Sequence, residues 1–293
     1  MAAGTATFRV VNLVDVSVVI PVRNGSPFIG KQLEAILAQE SDARFEIVVA
    51  DNGSIDDTVS IVQRYLEQDS RVRVVDASRA AGANVARNVG IAITDGRVVL
   101  LTDADDVVQP GWIQAYWRAF QAGAQTAGGG LNKVLADGTV LARDRTLYRS
   151  RVGNCDFANA TNCGFTREVF EKVGGFDETL IGTADEVEFF LRTCRAGYQM
   201  ALVPDAVVDK LQHTDLSAAF LQHFNFGRGE TLLAAKYQPR LIAPGLLLVA
   251  VQTAVCGLFW ATVGRIPRWR RHSVALFAFN LGMLVEGVRT LCE

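Results

Sequence analysis

The chain has 293 residues, of which 49% are hydrophobic and 20% charged, with a net charge of −2. So much apolar mass with so little net charge excludes intrinsic disorder, and 26 glycines and 7 prolines exclude collagen-like or low-complexity architecture. A general electrostatic drive toward nucleic acid is excluded as well, because 29 Lys and Arg face 31 Asp and Glu.

The first 15 residues contain no basic stretch followed by an apolar core, so no signal peptide is expected. Residues 16–22 (VSVVIPV) then form a β-branched run that predicts a strand, ending at a turn over 23–27. Helical spacing over 28–39 places Ile29, Leu33, Ile36 and Leu37 on one face. A second strand is predicted at 45–50, a helix at 58–66, a short strand at 72–75, a helix at 81–94 and a fourth strand at 97–101. Continuous apolar strands alternating with helices imply a mainly parallel sheet with helices on both faces. Ligands of such sheets bind at the carboxyl ends of the strands. Three polar loops stand at those ends: Arg23-Asn24-Gly25, Asp51-Asn52-Gly53-Ser54 and Asp103-Ala104-Asp105-Asp106.

After Pro110 the alternation stops. Residues 127–130 are rich in glycine, and 133–148 read as a hairpin around Asp137-Gly138. Helices are predicted at 167–173 and 184–196, strands at 199–203 and 206–211, and a helix at 216–237 that breaks before Pro239. Trp112, Tyr116 and Trp117 have helical spacing and read as core. The cysteines Cys155, Cys163, Cys194, Cys256 and Cys292 include no C-x-x-C pair, which gives no support to a zinc or thioredoxin-like site. Their odd number, with no pairing framework, fits a reducing compartment, and Cys155 and Cys163 read as small buried hydrophobes.

The segment 241–264 contains no charged residue and meets the length of a membrane helix. Residues 273–285 form a shorter apolar stretch closed by Glu286, and the linker RIPRWRR between the two is strongly basic. The positive-inside rule puts that linker in the cytoplasm, which one full span after a cytoplasmic body does not allow. A re-entrant or surface-lying hairpin resolves the conflict; a buried core helix is the plain alternative.

The turn Thr102-Asp103-Ala104-Asp105-Asp106 offers two carboxylates at i and i+2, which can face one ion, and hard oxygen donors favour Mg or Mn. A solvated acidic turn is the ordinary reading of the same residues. In the second loop Gly53 permits a tight turn, and Ser54 or Asp56 suits a helix cap, whereas Asp51 and Asn52 lie nearer the strand end.

Taken in order, VSVVIPVRN, EIVVADNGSIDDT, GANVARNVGIA, VVLLTDADD, VGGFDE and ADEVEFFLR resemble the inverting family-2 glycosyltransferases with the A-type fold, over about residues 14–237. The resemblance implies a nucleotide-sugar donor, most often a UDP-sugar, a divalent metal, and single-step inversion at the anomeric carbon. By the same resemblance Pro21, Arg23 and Asn24 border the nucleoside. Asp51 and Asn52 match an acidic pair that reads the base, here with Asn second. Arg87 and Asn88 belong to the helix that closes over the nucleotide. Asp105 is the expected direct metal ligand, with Asp103 towards the ribose. Glu186 stands at the general base, Asp185 is the alternative, and Arg192 keeps the family spacing. First-turn carboxylates favoured by the helix dipole are the plain reading of Asp185, Glu186 and Glu188. His213 stands where some relatives bind metal, though a solvated histidine fits equally. Arg228, in FGRG, is a candidate contact to diphosphate or lipid phosphate.

The expected organisation is a catalytic domain over 1–240, with a nucleotide-binding half at 14–110 and an acceptor half at 111–240, followed by a membrane-associated tail at 241–293. No Gln-x-x-Arg-Trp signature occurs, which favours single-sugar transfer over polymer synthesis. The apolar tail suggests a lipid-linked or cell-envelope glycan acceptor at the cytoplasmic face of the membrane. Two other readings stand beside this one: a membrane-attached nucleotide-sugar binder without catalysis, and a haloacid-dehalogenase-like phosphatase, which Asp103-Ala104-Asp105-Asp106-Val107 resembles at that motif alone.

Overall fold

A computed structural model of the protein describes residues 14–212, 215–264 and 266–292. His213, and the expectation attached to it, lie outside the described residues.

The first half alternates as its sequence predicts: β1 (Val16–Val22), α1 (Ile29–Leu37), β2 (Phe45–Asp51), α2 (Thr58–Gln68), β3 (Val72–Asp76), α3 (Ala83–Ala92) and β4 (Val98–Leu101). Strands β3, β2, β1 and β4 are adjacent and parallel. Their β-branched side chains are buried on both faces, because helices cover both. The chain continues through β5 (Val107–Val108), α4 (Trp112–Gln121), β6 (Thr126–Val134), β7 (Val140–Asp144), β8 (Tyr148–Arg149), β9 (Asp156–Phe157) and β10 (Cys163–Thr166). It then forms α5 (Arg167–Val173), α6 (Asp185–Arg195), β11 (Met200–Leu211), α7 (Leu216–Tyr237), α8 (Ile242–Val263) and α9 (Pro267–Cys292). The sheet runs β3-β2-β1-β4-β10-β6-β11-β5, with β7 on β6. It becomes mixed where β10 inserts antiparallel between β4 and β6. This is the α/β fold that the sequence implies, a sheet with helices on both faces, followed by two C-terminal apolar helices.

The glycine-rich stretch is the middle of β6. A Cβ on Gly129 would lie 2.3 Å from the Ala206 carbonyl oxygen and 2.4 Å from Asn162 Nδ2. The Asn162 amide donates to the Gly130 and Ala206 carbonyls and accepts from Trp112 Nε1 and Tyr116 Oη, all at 2.8–2.9 Å. Trp112, Tyr116 and Trp117 are core, as their spacing implies. The two late strands are one, β11, whose register shifts between Val203 and Val207, around Pro204. Helix α5 starts on Thr166, whose hydroxyl accepts from the Val169 N–H, and stops at Gly174 in the left-handed region.

Cys155 and Cys194 form a disulfide, which corrects the reading of Cys155 as a small buried hydrophobe and of the five cysteines as having no pairing framework. The two lie 39 residues apart, so only the fold brings them together. Cys163 is a buried thiol, as expected.

Helix α9 also corrects an expectation. It is not a short stretch closed by Glu286, because that carboxylate is buried against Arg228 of α7 at 2.7 Å and the helix continues past it. Helices α8 and α9 pair antiparallel, with Leu246 beside Gly287 and Trp260 stacked on Phe277. Both are long and apolar enough to cross a membrane. Little of α8 is covered by protein, so it is not a core helix of the described fold: Leu247, Leu248, Val251, Val255 and Leu258 are all exposed.

Candidate active site

The three polar loops meet at the carboxyl ends of β1, β2 and β4, and hydrogen bonds stitch the first to the second. The Asn24 N–H donates to Ser54 Oγ at 2.8 Å, Gly25 N–H to Thr58 Oγ1 at 2.8 Å, and Ile55 N–H to Asn24 Oδ1 at 2.9 Å. Asn24 takes a left-handed φ of 54°, a conformation that asparagine tolerates better than most residues. Arg23 beside it is exposed, and Pro21 is half-buried at the end of β1.

Asp51 is buried and accepts the Gly53 and Ser54 N–H groups, an Asx turn that aims its carboxylate into the loop. Asn52 has a bracing role. Its amide donates to the Ala77 and Ala80 carbonyls at 2.7 and 2.8 Å and accepts the Gly82 N–H at 2.9 Å. The loop before α3 is thereby pinned beside β2. Asn88 likewise holds the segment around Phe176 and Glu178.

Asp103, Asp105 and Asp106 each bring a carboxylate oxygen to within 4.8 Å of the others. Asp105 is exposed, Asp103 half-buried and Asp106 buried. Gln32, buried on α1, braces this turn by donating to Thr102 Oγ1 at 2.8 Å and the Asp103 carbonyl at 3.2 Å. Thr161 Oγ1 lies 2.6 Å from both Asp103 Oδ2 and Asp106 Oδ2, and Lys210 Nζ donates to it at 2.7 Å. Burial, reinforced by Asp103 and Asp105 and only partly offset by Lys210, pushes the Asp106 carboxyl up to about 7. Thr161, Lys210 and Gln32 were not singled out in the sequence.

Arg87 joins this cluster to α6. Its guanidinium is buried, hydrogen-bonds Asp185, reaches Asp103 Oδ1 at 3.7 Å and lies over the Phe176 ring. Its Nε is buried with no hydrogen-bond partner among the described residues. Burial alone would raise the Asp185 carboxyl; Arg87 outweighs it and holds that carboxyl below its ordinary range. Glu186 is the reverse case. Burial, then the neighbouring Asp185 charge, push it up to about 8, and the two carboxyls share a hydrogen bond. One site thus holds an ionised Asp185 beside a Glu186 poised near neutrality, a pattern found at acid–base centres. Glu188 and Arg192 are structural: buried Glu188 accepts from Arg192, Lys236 and Tyr237. Arg228 is engaged by Glu286.

Residues 17–174, more than half of the chain, match the family model described as Glycosyl transferase family 2. The chain belongs to that family. The chain is 33% identical over 106 residues to the glycosyltransferase GlyG of Streptococcus pneumoniae, covering 36% of this chain and 35% of GlyG. It is 32% identical over 169 residues to the succinoglycan biosynthesis protein ExoO of Rhizobium meliloti, covering 54% of this chain and 48% of ExoO. These alignments span about a third and half of the relatives' own lengths. Among solved structures, the mannosyltransferase PcManGT of Pyrobaculum calidifontis, in complex with GDP-Man and Mn2+, superposes with a TM-score of 0.65 over 93% of this chain and 86% of its own. At 19% identity that likeness is one of fold. The aspartate motif here follows β4, after three other strands, and family membership sets the phosphatase reading aside.

Proposed function

We propose that the protein is a metal-dependent inverting glycosyltransferase. It moves one sugar from a nucleotide-diphosphate sugar, a UDP-sugar first among candidates, to a hydroxyl of a lipid-linked or cell-envelope glycan precursor. The observation that carries this reading is Arg87, one buried guanidinium that ties the aspartate cluster to the first turn of α6. ExoO supports the acceptor class by its name, PcManGT supports a nucleotide-sugar donor with Mn2+, and the exposed apolar hairpin supports the membrane face. Residues 14–110 hold the nucleotide in this reading, 111–240 face the acceptor, and 241–293 seat the protein on the cytoplasmic face of the membrane.

The donor set suits a hard divalent cation, because three carboxylates converge and no soft ligand is among them. Asp105 and Asp103 would hold Mg or Mn, which when bound offsets the charge gathering on the leaving diphosphate. Asp51, with Pro21, Arg23 and Asn24 around it, lines the place for the nucleoside. The remaining chemistry belongs to α6. Glu186 takes the proton from the acceptor hydroxyl as that oxygen forms its bond to the anomeric carbon. The bond from that carbon to the diphosphate oxygen breaks, its electron pair leaves with the diphosphate, and the configuration inverts. Asp185, fixed by Arg87, keeps Glu186 basic enough to accept a proton near neutrality.

The test is transfer from UDP- and GDP-sugars in membrane lipid extract, with the product anomer read by NMR. Inverted product is expected, and Glu186→Gln should cut kcat by about a hundredfold or more with donor affinity kept. The rate should rise with pH through about 8, since Glu186 acts only when deprotonated. Product with retained configuration, or an active Glu186→Gln enzyme, would contradict this assignment; loss in Asp185→Asn alone would move the base to Asp185.

A further inference from the structure

Helix α7 touches both the apolar hairpin and the turn that carries Glu186, and a glycine of α7 makes each contact close. On one side, a Cβ on Gly227 would lie 1.9 Å from the Phe279 carbonyl oxygen, and one on Gly282 would lie 2.0 Å from the Phe224 carbonyl oxygen. Helices α7 and α9 therefore cross in parallel with no side chain between them at these positions. Arg228 and buried Glu286 close the contact at 2.7 Å, and Thr231 Oγ1 donates to the Met283 carbonyl at 3.2 Å. On the other side, a Cβ on Gly229 would lie 2.2 Å from Thr183 Oγ1 and 2.8 Å from the Ala184 Cβ. Buried Thr183 donates its hydroxyl to the Asn225 carbonyl of α7. Ala184, the next residue, begins α6 with φ at +54° and no side-chain cap. A left-handed alanine costs about 1 kcal/mol and persists only where its surroundings hold it. Gly229 of α7 lies against it, and it packs on the cluster of Val152, Cys155, Leu191 and Leu233, the last also from α7. Lower down, Lys236 and Tyr237 of α7 bind Glu188 of α6 at 2.6 Å.

We infer that Thr183 and Gly229 are positioning residues for Glu186, and that α7 acts as a strut through which the seating of the C-terminal hairpin sets the pose of the base-bearing turn. The hairpin is thus part of the active-site framework as well as an anchor. Neither glycine contact has slack, so a shift of α9 against α7 must appear at residues 183–186. This inference rests on Glu186 being the base, as proposed above.

The test is hydrogen exchange of the full-length protein in detergent micelles, followed by mass spectrometry, which requires no substrate. Thr183→Val and Glu286→Gln should each speed exchange at residues 185–190 by about tenfold and leave β1 to α3 unchanged. Thr183→Ser, which keeps the hydroxyl, should match the native protein. So should Gly245→Ala on α8, where a Cβ meets nothing within 4 Å. In the transfer assay, Thr183→Val should lower kcat with donor KM unchanged, and Thr183→Ser should restore it. Unchanged exchange at 185–190 in Glu286→Gln, or a rise spread evenly over the chain, overturns the strut. An active Glu186→Gln enzyme alongside the expected exchange pattern would overturn the base assignment and leave the mechanical link standing.

Discussion

Removing the Arg87 guanidinium would strand Asp185 in a nearly buried place with the Glu186 carboxyl against it. Breaking such a pair from one side costs about 3–5 kcal/mol, because the remaining charge stays desolvated. Arg87→Met should therefore lower the melting temperature by several degrees, and Arg87→Met with Asp185→Leu should recover part of the loss in a double-mutant cycle. Glu186 adds a pH dependence of known sign. Its folded pKa is raised, so its contribution to stability is full below the unfolded value and is lost as pH rises through about 8. Melting curves against pH should thus fall less steeply over that range in Glu186→Gln than in the native protein. The acidic residues of these two motifs were legible in the sequence because each stands in a short local pattern. Thr161 and Lys210 were not, since their contacts join positions 55 and 49 residues apart, and no spacing rule reaches that far. Asn52 shows the converse: its position marked the loop correctly, but only the structure reveals that its amide is committed to three backbone groups.

At the scale of elements, β6 is the clearest case of tertiary packing overriding local propensity. Three consecutive glycines argue against a strand interior on propensity alone. They are required here because Asn162, the Ala206 carbonyl and Arg145 press against that strand. Gly129→Ala should destabilise the protein by about 1–3 kcal/mol through overpacking, read as a lower urea midpoint. Gly138→Ala makes the contrast, since its added Cβ has open space and its cost is one of turn conformation, with φ at +86°. The parallel half was legible because apolar runs and helical periodicity alternate there. The antiparallel insertion of β10 was not, because a strand of four residues carries no periodic signal.

For the whole molecule, the disulfide and the hairpin decide how the parts are held. Cys155–Cys194 closes a loop of 39 residues and ties the segment before β9 to α6. Loop-closure entropy for that length corresponds to about 4 kcal/mol, so reductant should lower the melting temperature, and Cys155→Ser should make it insensitive to reductant. At a cytoplasmic location the pair would work as two thiols, and that difference measures the stability the working form gives up. The exposed face of α8 implies co-sedimentation with anionic vesicles, lost when Leu247, Val251 and Leu258 become Ser.

The central claim is a metal-dependent donor site built on Asp105, and the most direct measurement is thermal shift of the detergent-solubilised protein with UDP-, GDP- and dTDP-sugars, with and without Mn2+. A ligand that binds only the native state raises the melting temperature by mass action. The expected result is a shift with one nucleotide class that requires Mn2+ and disappears in Asp105→Ala. A folded protein that shifts with none of these donors, or shifts equally in Asp105→Ala, would contradict it.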